Sequence, residues 1–332
     1  MFSNESRGGG RGGAAAIAMT AVGALAAVCL AGCSATGSSA AAAPGADGAN
    51  GASRTGADTR VDSGVDHDVD SGAGASRAAG STPGATHSAS SGPVTGTGTG
   101  THPAGTPPLA GEVVVLDPGH NLGNAKHTAE IDKLVDVGNA RKECDTTGTE
   151  TNAGYAEASY TLDVTRRVRA ILRARGAKVT LTYDGDRPYG PCVNERAWIG
   201  DKAHADAALS IHADGAPAAD RGFHVIAPKS LHAGIADTRA IAGPSLLLAT
   251  TLRSHFAAAT KEPFANYVGG GSGLTVRSDL GGLNLSTVPK VFIECGNMRN
   301  AHDAASLTDA AWRQHAAQGI ADGLTAFLEG KR

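Results

Sequence analysis

Four side chains in this sequence carry chemistry that matters only if they meet: His120, Glu157, His212 and Glu294. Two imidazoles and one carboxylate form a recognised ligand set for catalytic zinc, which keeps a fourth position for water. Zinc lowers the pKa of such a water to about 7. A second carboxylate that is not a ligand then relays the proton, and Glu294 suits that role. Each residue also has a plainer reading. A histidine at a strand end is commonly a hydrogen-bonded structural residue. Glu157 serves equally as a helix N-terminal charge favoured by the dipole, and Glu294 as the partner of a lysine. The four are far apart in sequence and no HExxH pattern joins them. Spacing therefore leaves the zinc reading and the structural reading both open.

The elements that must position these groups are legible as patterns. Val113 to Leu116 is a run of four apolar residues, the signature of a short buried strand. Asp117, Pro118 and Gly119 turn the backbone and deliver His120 where the strand ends. Open α/β sheets bind ligands just beyond the carboxyl ends of their strands. Residues 207–211 and 289–293 read as further strands ending at His212 and Glu294. Residues 156–175 read as a helix, with Val164, Val168, Ile171 and Leu172 on one face and Gly176 as the stop. Glu157, seven residues before Val164, shares that face. A buried carboxylate needs a cation, an arginine or a proton.

The remaining pattern predicts strands over 178–182 and 222–227. Helices are expected over 194–203, capped by Asn194, over 240–260 and over 309–329. Strands alternating with helices give an α/β fold: a three-layer sandwich with a mainly parallel twisted sheet flanked by helices. The polar stretch 122–154 is long for a connection and suggests a covering or functional role.

The front of the chain is different in kind. Arg7 and Arg11 precede an uncharged apolar run over 14–30, followed by Leu30-Ala31-Gly32-Cys33. This arrangement describes a secretory signal, and its ending looks like a bacterial lipobox, with Cys33 the lipidated residue of an exported, membrane-anchored protein. An ordinary signal peptide or a membrane helix is the alternative, though the run is short and rich in Ala and Gly for a spanning helix. Residues 34–110 are mostly Ala, Gly, Ser, Thr and Pro, too poor in apolar groups to fold. As a coil of about 75 residues this linker spans roughly 50 Å. His67, His87 and His102 fall in it singly and read as solvated; the aspartate cluster over 58–70 also reads as solvated, with weak cation binding as the alternative. The folded domain is expected over 111–332. A net charge of −3 argues against nucleic acid as a partner, and the chain is expected to be a monomer.

Three cysteines fall in the domain. An exported protein permits disulfides, and Cys144 and Cys192 both lie in turn-rich loops, so they are expected to pair. Closing a loop of about 48 residues is worth about 4 kcal/mol in the chain-entropy account. Cys295 follows an apolar strand and reads as a buried free thiol.

The order of segments resembles the zinc-dependent N-acetylmuramoyl-L-alanine amidases of the Amidase_3 type. The matching pieces are Leu116-Asp-Pro-Gly-His120, Glu157 opening a helix, Arg196, the stretch 205–214 around His212, and 288–300 around Glu294. Each is weak alone; in this order they are specific and span about 113–328. The actinobacterial branch, which similarly carries a Cys pair around Cys144 and Cys192, is the nearest match. The resemblance implies that His120, Glu157 and His212 bind Zn2+ and that Glu294 is the catalytic glutamate. It implies a substrate, peptidoglycan or its muropeptide fragments, cut between N-acetylmuramic acid and L-alanine. Cys295-Gly296 departs from the commoner residues after the glutamate, and the glycines over 269–273 are a further departure; both bear on substrate contacts. Arg277 is a candidate for holding a peptide carboxylate, with a surface salt bridge as the other reading. His127, His224 and Asp214 are candidate hydrogen-bonding neighbours of the ligands.

Two other functions fit the residues. A zinc peptidase would cut within the stem peptide. A catalytically silent wall-binding or activator module would lack a ligand or the glutamate, whereas all four are present here.

Overall fold

The computed structural model describes residues 105–330. The signal segment, Cys33 and the linker up to residue 104 lie outside the described residues. In chain order the elements are β1 (Val113–Pro118), α1 (Thr128–Ile131), β2 (Leu134–Asp136), β3 (Arg141–Glu143), α2 (Glu157–Ala174), β4 (Lys178–Leu181) and α3 (Val193–Lys202). They continue as β5 (Ala207–Asp214), β6 (His224–Pro228), β7 (His232–Ala233), β8 (Ala236–Asp237), α4 (Ala242–Thr260) and β9 (Leu274–Arg277). The chain closes with α5 (Gly281–Asn284), β10 (Lys290–Asn297), α6 (Ala301–Thr308) and α7 (Ala310–Glu329).

Among the described residues, six strands form one sheet in the order β4-β1-β5-β10-β6-β9. Neighbours run parallel except β10 and β6, which are antiparallel. The sheet is thus mixed but mostly parallel, flanked by helices on both faces. Alternate residues of β1 face opposite layers, as the strand period requires. Val114 and Leu116 pack with Val164, Val168 and Leu172 of α2 and with the α4 and α7 residues Leu252, Phe256, Ile320 and Leu324. Val115 faces the other way, with Ala208 and the α3 residue Ile199. Burial on both faces explains why β1 and β5 read as apolar runs rather than alternations.

Five boundaries differ from expectation. Strand β1 does not break at Asp117 but runs on to Pro118, because Asp117 and Pro118 still pair with Ser210 and Ile211 of β5. Leu109 is fully buried in the main core and its N–H donates to the Arg175 carbonyl, so the folded unit takes in residues before 111. Helix α3 starts at Val193 with Cys192, not Asn194, at the cap; Asn194 instead accepts the Glu195 N–H from inside the first turn. Strands β5 and β10 do not stop at His212 and Glu294 but run on to Asp214 and Asn297, because the parallel ladder continues past Glu294↔His212 through a register shift to Asn297↔Asp214. The two residues still lie in the C-terminal part of their strands. Within the stretch 122–154 the chain forms the small hairpin β2–β3, whose tip Asn139 donates to the Ser278 carbonyl. Asn284 of α5 donates to the Val137 carbonyl and to Asn139. Cys144 and Cys192 form a disulfide, and Cys295 is a buried free thiol.

Candidate metal centre

Three elements bring the first candidates together. His120 lies two residues past the end of β1 in left-handed backbone, φ 59°, a conformation costing a non-glycine residue of order 1–3 kcal/mol. Both sides of the residue are held. The Arg196 guanidinium donates to the His120 carbonyl, and the Thr146 carbonyl accepts from the His120 Nδ1 at 3.1 Å. The other ring nitrogen, Nε2, faces Glu157 Oε2 at 3.2 Å. Glu157 opens α2 on its buried face. Its Oε1 lies 3.0 Å from His212 Nδ1 and takes the Ala213 N–H, and its Oε2 takes the Thr149 N–H. One donor atom from each of His120, Glu157 and His212 lies within 4.8 Å of the other two, and no other such group occurs among the described residues. Two imidazole nitrogens and a carboxylate oxygen at this spacing fit a divalent zinc ion.

Two glycines make this approach possible. A Cβ on Gly119 would stand 2.2 Å from the His212 ring. Gly148 has φ +74°, and a Cβ there would meet Glu157 Oε2 and the His120 ring at 2.8 Å. Through Thr146, Gly148 and Thr149, the stretch 122–154 wraps this cluster.

Burial disfavours charge on His120 and Glu157, yet their mutual attraction wins. The Glu157 and Asp145 carboxylates hold the His120 pKa well above the usual imidazole value, and the two imidazoles hold the Glu157 carboxyl well below the usual range.

Behind the cluster lies a buried ionic network. Arg196 is 4 % exposed, and its five N–H donors meet the carbonyls of Pro191, Pro118 and His120 and the carboxylates of Asp117 and Asp145. Asp117, fully buried, also accepts from Thr182, Ser210 and Lys290. Burial alone would raise the Asp117 pKa; Arg196 and Lys290 hold it far below the carboxylate range.

Glu294 is the Cα neighbour of His212 across β5–β10 and of His224 across β10–β6. Its Oε2 is buried without a hydrogen-bond partner. Burial, with the Asp214 and Glu157 charges, pushes its pKa well above the usual value. His224 is buried with Nδ1 unpaired, and burial together with Arg277 lowers its pKa to about 3. Asp214 takes the Tyr267 hydroxyl at 3.0 Å. Arg277, on the edge strand β9, forms a two-bond ion pair with Asp279. His127 lies apart from the cluster, against Glu130 and Tyr189.

Sequence reasoning did not single out Ser210, Asp117, Asp145, Thr146 or Gly148 for this site. Ser210 was within reach of it, since residues two apart on a strand share a face. Nothing local marks Thr146 or Gly148.

Comparisons with known proteins place the fold that carries this cluster. Residues 114–326 match the family Amidase_3, described as N-acetylmuramoyl-L-alanine amidase. The chain is 41 % identical over 222 residues to the N-acetylmuramoyl-L-alanine amidase Rv3717 of Mycobacterium tuberculosis, covering 66 % of this chain and 88 % of that protein. The crystal structure of the amidase Ami1 from Mycobacterium smegmatis superposes with a TM-score of 0.62 at 42 % identity, over 68 % of this chain and 99 % of that one. Ami1 from Mycobacterium abscessus gives 0.61 at 40 % identity, over 66 % and 100 %. A match of this breadth, over the same segments that build the cluster, means that the chain belongs to the N-acetylmuramoyl-L-alanine amidase family.

Proposed function

We propose that the chain is a zinc-dependent hydrolase that cleaves the amide between N-acetylmuramic acid and L-alanine in peptidoglycan. The observation that carries this is the convergence of His120, Glu157 and His212 within 4.8 Å beside a buried, unpaired carboxylate oxygen of Glu294. His120, Glu157 and His212 hold the ion. Zinc, when bound, supplies electrophilic polarisation of the scissile carbonyl and makes water acidic enough to attack near neutral pH. Glu294 takes the proton from the attacking water and returns it to the leaving alanine amine. Arg277 serves as a contact for a peptide carboxylate by exchanging Asp279 for substrate. The presence of all four groups favours an enzyme over a silent wall-binding module.

The expected place of action is outside the cytoplasmic membrane. The Leu30-Ala31-Gly32-Cys33 pattern supports lipidation at Cys33, with the Ala/Gly/Ser/Thr/Pro-rich stretch after it as a tether and the folded unit from about Leu109 onward as the catalytic part. The Cys144–Cys192 disulfide fits an oxidising compartment. No helix of the described residues is long and apolar enough to cross a membrane.

Metal analysis joined to a product assay tests the reading. The purified protein should hold about one zinc per chain. It should release peptides with a new N-terminal alanine from purified wall, lose that activity to a chelator and regain it with zinc. Zinc-loaded protein that releases no stem peptide would sink the proposal. New N-termini within the stem peptide would replace it with a peptidase.

A further inference from the structure

We propose that Ser210 and Asp117 are positioning residues that fix which nitrogen of His212 carries its proton, and so present Nδ1 to the metal. The inference rests on the metal reading above and adds residues that act through a ligand.

The argument is a count of hydrogens. Asp117 and Ser210 are Cα partners across β1 and β5, and both are fully buried. Ser210 and His212, two apart on β5, share a face of the sheet. Asp117 has Arg196 Nη1 at 2.7 Å and Lys290 Nζ at 3.4 Å, so it is an ionised carboxylate that only accepts. Ser210 lies 2.8 Å from Asp117 Oδ2. Its single hydrogen is therefore committed to Asp117. The Ser210 oxygen also lies 3.2 Å from His212 Nε2. With its hydrogen spent, that oxygen accepts there, and Nε2 must carry the N–H. In the neutral ring this leaves a lone pair on Nδ1, which faces Glu157 Oε1 at 3.0 Å. Two lone pairs at that distance repel unless a cation lies between them. The opposite tautomer would require one Ser210 hydrogen to serve both Asp117 and Nε2.

The backbone does the same for His120, whose Nδ1 meets the Thr146 carbonyl. For His212, near the C-terminal end of β5 and paired there with Glu294 of β10, the Ser210 side chain takes the place of that carbonyl. The buried cations Arg196 and Lys290 thereby set a proton position three hydrogen bonds away.

Two measurements test this. In zinc-loaded wild type, long-range proton–nitrogen NMR of the His212 ring should show the proton on Nε2, exchanging slowly. In Ser210→Ala, chelator competition should show zinc bound about 10–100-fold more weakly, with the Nε2 proton exchanging faster. Ser210→Thr, which keeps the hydroxyl, should restore both. A proton on Nδ1 in the wild type overturns the inference without any variant, as does zinc affinity unchanged in a folded Ser210→Ala. A wild type that binds no zinc at all overturns the metal reading and this inference with it.

Discussion

The two sides of the candidate metal centre are built on opposite principles. Toward α3, the buried charges are paired: Arg196 meets five acceptors, and Asp117 takes Thr182, Arg196, Ser210 and Lys290. Toward β6, Glu294 Oε2 and His224 Nδ1 are buried with no partner. Breaking one member of a buried ion pair costs far more than the pair contributes, because the survivor keeps its charge without compensation. An unpaired buried group is already in that costly condition. The first side ties down His120 and, through Ser210, His212; in the proposed function the second leaves Glu294 free to react. Proteins that are otherwise consistent break local rules at functional sites, and the contrast here falls across a single sheet edge.

Mutation should separate the two sides. On the unpaired side, Glu294→Gln should lower turnover on purified wall by about 10²–10⁴-fold. Zinc content should stay unchanged and thermal stability should not fall, since the amide carries no burial cost of charge. Full activity in this variant would remove Glu294 from its assigned role. On the paired side the order reverses. Arg196→Met leaves the buried Asp145 carboxylate without its arginine and Asp117 with Lys290 as its remaining cation, so unfolding in denaturant should show a loss of about 3–5 kcal/mol. Activity should fall only as far as His120 and His212 lose their orientation. A stable, well-folded Arg196→Met would mean that the network contributes little.

The smallest effect concerns pH. His224 has its pKa lowered to about 3 in the fold, against an ordinary value near 6.5. The unfolded chain therefore binds the extra proton first, and the neutral ring contributes stability that is fully present above about pH 6.5. That stability is lost as pH falls from there toward 3. His224→Phe should flatten this part of the stability curve, measured as unfolding midpoint against pH, and leave the curve above neutral pH unchanged. An unchanged acid slope would show that His224 is already charged in the fold.

Much of this architecture is legible in the amino-acid order alone. An apolar run with Gly119 close behind it places His120 near the strand end, although Asp117 and Pro118 stay in the ladder, and spacing from Val164 on one helix face places Glu157. Both signals are local, set by strand and helix periods. Loops and compartment point to the Cys144–Cys192 pair, and the structure joins it. The hairpin β2–β3 is not legible, because its strands are three residues each and largely exposed, with no period to detect. Strand β6 reads as a strand but not as an antiparallel one, since direction depends on its partner β10 and not on its own residues.

The sequence by itself determined the kinds of group and the elements that carry them: two imidazoles, two carboxylates, strands and helices in alternation, and burial on one face of α2. Those properties follow from side-chain type and from repeats a few residues long. Only the tertiary structure decided which atoms meet. Nε2 of His120 but Nδ1 of His212 faces Glu157, and Gly119 and Gly148 leave the space for it. Asp117 reaches Ser210 across 93 residues of sequence to orient one ring, and Glu294 stands beside His212 without a hydrogen-bond partner for Oε2. Donor direction, hydrogen count and unsatisfied burial depend on distances between distant segments, and no local pattern in a chain encodes those.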